Sequence, residues 1–493
     1  MPNYIAVDLG AESGRVCVVT LDDRGFALQE SHRFANGAVQ VGQSLHWDVL
    51  HLWQEIKRGL RIAADQVGAI RSVAVDTWGI DFALLDRAGK LVGNPYCYRD
   101  IRTNGLMERA LTLVPRQEIY RQSGGIQFLS INTLYQLLAM VEARDPALDT
   151  AATFLMMPDL FHYWLSGRKA CEFTAATTTQ FYQAAQGNWA YELLNTLQIP
   201  THFLPEIVMP GTVLGALTGV VAEETGLGAI PVIATAAHDT AAALVAVPAQ
   251  TEQFAWLSSG TWSLLGGIAT APLVTEQALA YNFSSYGGPG GYFLPWKNIM
   301  GLWLLQECRR CWAQAGQSFG YETLTAMAAA APPFTAIINP DDATFLAPKA
   351  MPEAIATYCR AHGQPVPETP GVMTRVILDS LALRYRWTLE KLGELQQCTF
   401  DQLYVVGGGS QNQLLCQLTA DACGVPVVAG PVEATAIGNA ALQAVALGDL
   451  PSLAAARALI RAAFAVQVYE PTVTSVSRAA WDDAYARFQQ IIL

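Results

Sequence analysis

Residues 4–21 read YIAVDLGAESGRVCVVTL and residues 255–267 read AWLSSGTWSLLGG, and the two stretches share one design. Each has an apolar strand, then a turn of small residues, then a second apolar strand, and no helix signal follows the turn. The GxxxxGK[ST] pattern of a phosphate loop is absent from the sequence. Because turn amides point at phosphate oxygens and glycine allows close approach, the pair predicts two hairpin turns, one in each half, that hold one polyphosphate.

The composition is that of a large, acidic, globular chain. Its 493 residues exceed a single core, and 52% hydrophobic against 15% charged residues favours folded domains over disorder. The net charge of −12 argues against nucleic-acid and anionic-membrane partners. Nine cysteines without framework spacing indicate reduced thiols. The start MPNYIAVDLG lacks signal-peptide features and no apolar window suits a membrane span, so we expect a cytoplasmic protein.

Alternating strand and helix signals divide the chain into two α/β halves, each a mixed sheet flanked by helices. We expect domains at 1–246 and 247–493. The first half carries a helix from about Asp48 to Gln66, and the turn at 86–89 (DRAG) is expected to close a second hairpin of the same sheet. The second half has helices around 298–315 and 371–396, and a strand from Leu403 to Val406 leads into three glycines.

Asp8 and Arg15 flank the first turn. A charge at the end of a buried strand needs a reason, and a Mg²⁺–phosphate cluster, contacted by Asp8 through water, supplies one. An aspartate that caps its own turn is the alternative. The Arg15 guanidinium, on the returning strand, either reaches a phosphate or forms a surface ion pair.

Asp239 is the candidate catalytic residue. It lies in the window PVIATAAHDTAAALVAVPA (231–249), at a junction between a strand and a helix. Phosphoryl transfer to an alcohol needs a carboxylate within hydrogen-bond reach of the attacking hydroxyl, and a helix N-terminus keeps such a carboxylate ionised. His238 beside it is a candidate for orienting the substrate. The alternatives are a plain N-cap aspartate and a structural histidine.

The motif DTWGIDF (76–82) is the candidate sugar site. The Trp78 ring suits the C–H face of a sugar, the Asp81 carboxylate suits a hydroxyl, and Gly79 permits close backbone approach. A core tryptophan is the alternative for Trp78. The glycines at 407–409 follow an apolar strand and suit a nucleotide contact, although the GxGxxG spacing is absent.

These motifs together make the chain resemble the FGGY carbohydrate kinases, from Ala6 to about Leu447. The resemblance rests on long segments that include VDLGAESGR (7–15), DTWGIDF (76–82), SGGIQFLSINTLYQL (123–137), ATTTQ (176–180), AAHDTAAA (236–243), LSSGTWSLLG (257–266), KNIMGLWLLQ (297–306), INPDD (338–342), VVGGGSQNQLL (405–415) and AGPVEATAIGN (429–439). The sugar-side segments resemble the branch that acts on L-rhamnulose more than those that act on glycerol or xylulose.

The resemblance implies an actin-like fold of two RNase H-like domains with a catalytic cleft, and ATP- and Mg²⁺-dependent phosphorylation of the 1-hydroxyl of L-rhamnulose. It implies that Asp239 is the general base and that Asp8 lies on the metal side. Sugar contacts are implied for Gly79, His238, Asp239, Thr240 and Asn298. Nucleotide contacts are implied for Ala11, Glu12, Ser13, Gly14, Arg15, Thr261, Gln306 and Gly408.

Two departures from the family pattern leave alternatives open. Position 12 is Glu where a small residue is common, so its role beside phosphates is open. Residues 123–125 read SGG where one glycine is usual, which leaves another ketose such as L-fuculose as an alternative substrate. A sugar or nucleotide sensor without turnover is the alternative of another class. The sequence does not decide between a monomer and a homodimer.

Overall fold

The computed structural model describes residues 1–251, 253–472 and 477–492. The strands are β1 Asn3–Leu9, β2 Ser13–Asp22, β3 Gly25–Ala35, β4 Ala38–Val41, β5 Ser44–Trp47, β6 Ser72–Thr77, β7 Phe82–Leu85, β8 Thr153–Met156, β9 Cys171–Glu172, β10 Tyr182–Gln183, β11 Asn188–Trp189, β12 Ile207–Val208, β13 Thr212–Ala216, β14 Pro231–Ala234, β15 Ala255–Ser259, β16 Trp262–Gly266, β17 Ser284–Gly287, β18 Phe293–Met300, β19 Leu403–Val406, β20 Val427–Ala429 and β21 Gln467–Tyr469.

The α-helices connect these strands and cover the sheets. They are α1 Val49–Gln66, α2 Leu106–Leu113, α3 Arg116–Gln122, α4 Thr133–Glu142, α5 Ala147–Thr150, α6 Met157–Ser166, α7 Phe173–Ala176, α8 Tyr191–Thr196, α9 Gly219–Thr225, α10 Asp239–Val245, α11 Glu276–Ala280, α12 Trp303–Gln314, α13 Tyr321–Ala329, α14 Met351–Ala361, α15 Pro370–Gln396, α16 Gln413–Cys423, α17 Ala434–Ala446, α18 Leu453–Ala463 and α19 Arg478–Ile492.

The chain forms two compact units whose segments alternate along the sequence. The first unit comprises Met1–Gln250, Ala269–Pro295 and Glu433–Phe464, and the second comprises Thr251–Ile268, Trp296–Val432 and Ala465–Leu493. The predicted boundary at 246 lies close to Gln250, where the first segment of the first unit ends. Two later segments, Ala269–Pro295 and Glu433–Phe464, also belong to the first unit. The segment Glu433–Phe464 belongs to the first unit because it contains α17, whose small residues let this helix lie against the sheet of that unit.

The sheet of the first unit has the strand order β13-β14-β6-β1-β2-β3. β1 is antiparallel to β2 and parallel to β6, so Asp8 lies opposite Arg15 on one side and Asp76 on the other. Helix α1 covers one face with apolar side chains that include Leu52 and Ile56. It begins after Asp48, whose carboxylate accepts a hydrogen bond from the His51 amide at 3.0 Å, which confirms the predicted start.

Helix α17 covers strands β1 and β6 of the first unit and packs on α10. The Gln443 amide donates to the Ile5 carbonyl at 2.9 Å and its oxygen accepts from the Ser72 hydroxyl at 2.6 Å. A Cβ on Gly438 would overlap the Ala242 carbonyl of α10, so the close approach of the two helices requires glycine there.

The second unit contains the second predicted hairpin. β15 and β16 pair antiparallel, β15 lies parallel to β19, and β19 lies parallel to β20. The long helix α15 confirms the helix predicted at 371–396, and it contains a buried ion pair between Arg375 and Asp379 at 2.8 Å. None of the helices in the described part of the chain combines the length and hydrophobicity needed to cross a bilayer.

Two predictions of local structure were wrong. The strand before the DRAG turn, β7, pairs with β8 in a separate two-stranded sheet, and the segment after the turn makes only an isolated bridge from Leu91 to Leu85. The helix expected from 298 begins at Trp303, because the residues before it form strand β18, whose Asn298 pairs with Leu264 of β16. In both cases pairing to a distant strand decided the local structure.

Candidate active site

The first predicted phosphate turn joins β1 to β2. The Gly10 amide donates to the Ser13 carbonyl at 2.9 Å, which closes the turn. Asn36 stabilises the turn through two hydrogen bonds. Its side-chain amide donates to the Gly10 carbonyl at 2.7 Å, and its backbone amide donates to the Glu12 carbonyl at 3.0 Å. The Glu12 side chain is exposed, which keeps its charge in solvent. A Cβ on Gly14 would overlap the Phe34 ring, so this position requires glycine.

Asp8 and Arg15 form an ion pair behind this turn. Asp8 is buried, and its Oδ2 accepts from Arg15 Nη2 at 2.6 Å and from Arg15 Nε at 2.9 Å. Arg15 also pairs with the Glu433 carboxylate, at the start of α17. Arg15 therefore forms an ion pair, but with the buried Asp8 rather than at the surface as the alternative had it, and its phosphate contact stays a prediction.

Asp239 is the first residue of α10, directly after strand β14 and its short connection. Its Oδ1 accepts from the Thr240 amide and, at 3.1 Å, from the Thr240 hydroxyl, and it lies 3.5 Å from His238 Nε2. The Asp239 side chain is 32% exposed. The desolvation that accompanies its burial, together with the nearby Asp8 charge, raises the pKa of Asp239 to about 7. Burial thus outweighs the expected effect of the helix N-terminus, so the carboxyl is not held ionised at neutral pH as predicted. It is accessible and can exchange a proton near pH 7.

The neighbouring titratable groups are held neutral. Burial lowers the pKa of His238 to about 4, so its imidazole is uncharged at pH 7. Asp76 is completely buried, and burial followed by the charges of Asp8 and Asp239 raises its pKa well above the usual range. The Asn439 amide donates to Asp76 Oδ2 at 2.6 Å. His238 and Asp76 are therefore both uncharged at pH 7.

Asp81 does not have the role expected from its motif. It is completely buried, and its two oxygens accept from Trp47 Nε1 at 2.6 Å, Trp78 Nε1 at 3.0 Å and Gln136 Nε2 at 2.8 Å. A carboxylate already engaged by three side chains inside the core has no place for a sugar hydroxyl, so the predicted contact of Asp81 is wrong. Trp78 is also largely buried and packs on Trp47 with ring centroids 4.2 Å apart, so the core alternative describes it.

The turn between β6 and β7 remains a candidate for substrate contact at Gly79. A Cβ on Gly79 would lie 3.0 Å from the Thr178 methyl, so a larger residue would disturb this contact. Ile80 has a φ of 66°, which is unfavourable for a β-branched residue, and its amide donates to Thr178 Oγ1 at 3.0 Å. Strain of this kind clusters at functional sites.

In the second unit, the β15–β16 turn is joined to the start of α12. The Thr261 carbonyl accepts from the Gly301 amide at 3.2 Å and from the Trp303 amide at 3.1 Å. Gln306 lies in the first turn of α12, and its buried Oε1 has no hydrogen-bond partner among the described residues. An unsatisfied buried oxygen calls for an explanation such as a ligand or ordered water. Asn298 lies on β18, where its Oδ1 accepts from Trp296 Nε1 at 3.2 Å.

The three glycines after β19 have different surroundings. Gly407 has a φ of 83°, and a Cβ on Gly409 would overlap the Ser259 side chain, so these two pack against β15. A Cβ on Gly408 would meet nothing within 4 Å. The middle glycine therefore faces open space, where a ligand has access to the backbone.

The carboxylates near the first turn suit a magnesium ion that is bound mainly by water and phosphate oxygens. Among the described residues, no group of three or more His, Cys, Asp or Glu side chains could hold a metal ion. Mg²⁺ keeps several waters and is usually bound by one or two carboxylates together with substrate phosphates. Asp8, next to the first turn, fits that donor set.

Sequence reasoning missed Glu172 and Thr174, which contact the backbone immediately before Asp239. The available signal was Glu172 itself, the only charged residue in the run 170–182 (ACEFTAATTTQFY). A lone charge in a run without other charged residues needs a partner if it is buried.

Comparison with known proteins gives a consistent result. Residues 3–246 match the N-terminal domain of the FGGY family of carbohydrate kinases, and residues 255–447 match its C-terminal domain. The chain is 43% identical over 490 residues to a rhamnulokinase of Bacteroides thetaiotaomicron, covering 99% of both chains. It is 44% identical over 492 residues to a rhamnulokinase of Pectobacterium atrosepticum, covering 99% of this chain and 96% of the relative.

Solved structures of sugar kinases share the fold. A gluconate kinase from Lactobacillus acidophilus has a TM-score of 0.83 at 17% identity, covering 99% of this chain and 97% of the other. Plasmodium falciparum glycerol kinase with ADP has a TM-score of 0.79 at 14% identity, covering 100% of this chain and 99% of the other. The expected fold class, two actin-like domains with mixed sheets flanked by helices, is thereby confirmed.

Proposed function

Because the chain belongs to the FGGY family of carbohydrate kinases, we propose that it catalyses the ATP-dependent phosphorylation of L-rhamnulose at its 1-hydroxyl. The 43% and 44% identity to two proteins named rhamnulokinase, over 99% of this chain, supports L-rhamnulose as the substrate. The observation that carries the chemistry is the Asp239 carboxylate, partly exposed and with a pKa raised to about 7.

In the proposed reaction, Asp239 acts as general base. The 1-hydroxyl oxygen of the ketose attacks the γ-phosphorus of ATP while its proton passes to the Asp239 carboxylate, and the bond to the β–γ bridging oxygen breaks to release ADP. A base with a pKa near the working pH suits this proton transfer. The neutral His238 imidazole beside it orients the sugar without competing as a cation.

The remaining residues bind and position the two substrates. We assign sugar contacts to Gly79, His238, Thr240 and Asn298, and nucleotide contacts to Ala11, Glu12, Ser13, Gly14, Arg15, Thr261, Gln306 and Gly408. For Glu12 the contact is through the backbone, because its side chain is exposed. Asp8 would hold Mg²⁺ through water, and the ion when bound offsets charge on the phosphates. Nine free cysteines favour a cytoplasmic location.

A coupled ADP-release assay with a ketose panel tests the proposal. With ATP and Mg²⁺, we expect kcat/KM to be highest for L-rhamnulose among L-rhamnulose, L-fuculose, L-xylulose, D-xylulose, L-ribulose and glycerol. Gly124 and Gly125 both have positive φ, so the additional glycine forms a defined turn. A preference for L-fuculose would support the kinase activity but show that L-fuculose, not L-rhamnulose, is the substrate. Nucleotide binding without turnover on any of the six would favour the sensor.

Gly408→Ala and Gly409→Ala separate nucleotide contact from packing. We expect Gly408→Ala to raise the KM for ATP several-fold with little change in Tm, because its Cβ would enter the space left for the ligand. Gly409→Ala should instead lower Tm, since its Cβ would overlap Ser259 and overpacking costs about 1–3 kcal/mol. Thermal unfolding and ATP titration of both variants are the measurements. An unchanged KM for ATP in Gly408→Ala would remove Gly408 from the nucleotide site.

A further inference from the structure

The connection between β14 and α10 leads directly into Asp239 and is deeply buried. Thr235, Ala236 and Ala237 are all completely inaccessible to solvent. Backbone amides buried in this way need hydrogen-bond partners, because an unsatisfied buried amide costs about 1–3 kcal/mol. The partners of this segment therefore decide where Asp239 lies.

Two side chains supply partners for the amides of residues 237 and 238. The Ala237 amide donates to Glu172 Oε2 at 3.1 Å, and the His238 amide donates to Thr174 Oγ1 at 3.1 Å. The Thr174 hydroxyl in turn donates to the same Glu172 oxygen at 2.5 Å. On the opposite side, the Ala237 carbonyl accepts from the Thr77 amide at 2.9 Å. The backbone just before Asp239 is thus held by hydrogen bonds to its amides and to the Ala237 carbonyl.

Glu172 is itself rigidly placed. Its amide donates to Asp159 Oδ1 at 3.0 Å, its Oε2 also accepts from the Ala175 amide at 3.1 Å, and strand β9 pairs with β12. Both Glu172 and Thr174 are completely buried. Because its backbone amide and its Oε2 are both hydrogen-bonded, Glu172 has a defined position relative to the segment that it contacts.

We propose that Glu172 and Thr174 are positioning residues that fix the backbone of residues 237 and 238 and so aim the Asp239 carboxylate at the hydroxyl of the ketose. The inference rests on the proposed function. Neither side chain touches Asp239, so both act through the backbone. Displacing a catalytic group by about 1 Å lowers rates by about 100-fold.

Three substitutions test the proposal. Thr174→Val removes the hydroxyl at nearly constant volume, Thr174→Ser keeps it, and Thr225→Val removes another buried hydroxyl of the first unit, one that donates to the Val221 carbonyl at 2.7 Å within α9. We expect Thr174→Val to lower kcat by about 10–100-fold with an unchanged KM for ATP. Thr174→Ser should restore most of kcat, and Thr225→Val should leave kcat near wild type at a comparable Tm.

The outcomes separate this inference from the proposed function. An active wild type whose Thr174→Val variant keeps its kcat, or whose Thr225→Val variant loses kcat equally at the same folded fraction, overturns the positioning role. Failure of Thr174→Ser to recover kcat also overturns it. A wild type that phosphorylates none of the ketoses overturns the proposed function, and the inference with it. Thr174→Ala, which creates no steric overlap, replaces Thr174→Val if that variant does not fold.

Discussion

Asp239→Asn is expected to lower kcat by about 10²–10⁴-fold, the range for loss of a general base, while ketose binding persists. The amide matches the carboxylate in shape, and its oxygen can still accept from the Thr240 amide and hydroxyl. It cannot accept a proton from the attacking hydroxyl. Steady-state kinetics and ketose titration measure the two effects separately.

The pH profile gives the same prediction an independent readout. Because the pKa of Asp239 is raised to about 7, the carboxyl of the free enzyme is protonated below that pH and cannot serve as base, so wild-type kcat/KM should rise with pH through about 7. Asp239→Asn should lack this limb. The raised pKa also means that ionised Asp239 reduces stability above its ordinary pKa, with the loss complete above about 7. At pH 8 the variant should therefore unfold no earlier than wild type.

The matched control is Asp23→Asn, a surface carboxylate in the turn after β2. It should leave kcat and the pH profile unchanged. Near-normal turnover of Asp239→Asn would show that another group takes the proton.

Gly438→Ala is expected to have the largest effect on stability. The added Cβ would overlap the Ala242 carbonyl, and backbone cannot move aside by rotating a side chain. Overpacking of this kind costs about 3 kcal/mol, sometimes more, which lowers Tm by several degrees in a unit of this size. Because α10 begins at Asp239, displacement of α10 should also lower kcat. Thermal unfolding and kinetics of the purified variant measure both losses.

Gly37→Ala is the control for this substitution. A Cβ on Gly37 would meet nothing within 4 Å, and its φ is not positive, so Tm and kcat should stay near wild type. Equal Tm values for the two variants would show that α10 and α17 separate easily, contrary to the close packing described above.

Local pattern was sufficient for much of this fold. Apolar strands around turns of small residues predicted both hairpins, and the helix predicted from about Asp48 matches the start of α1. Asp239 was recognisable because a charge inside a long apolar window is rare. These features depend on residues near one another in sequence.

The failures came from partners that lie far along the chain. Asp81 resembled a sugar ligand because nothing near it reveals that Trp47 and Gln136 donate to its oxygens. Glu172 was overlooked because its partner, the Ala237 amide, lies 65 residues away. Hydrogen bonds over such separations are set by the tertiary fold, which periodicity does not encode.

The late position of α17 in the chain has a consequence for biosynthesis. The Ile5 carbonyl of β1 accepts a hydrogen bond from Gln443, which lies 438 residues later in the chain, and Gly25 lies against Leu459 of α18. A nascent chain on the ribosome therefore carries strands β1 and β6 without their α17 cover until residues 434–446 have been synthesised. Exposed apolar surface of this kind attracts chaperones and promotes aggregation. A transcript truncated before codon 433 would yield a chaperone client rather than a smaller working enzyme.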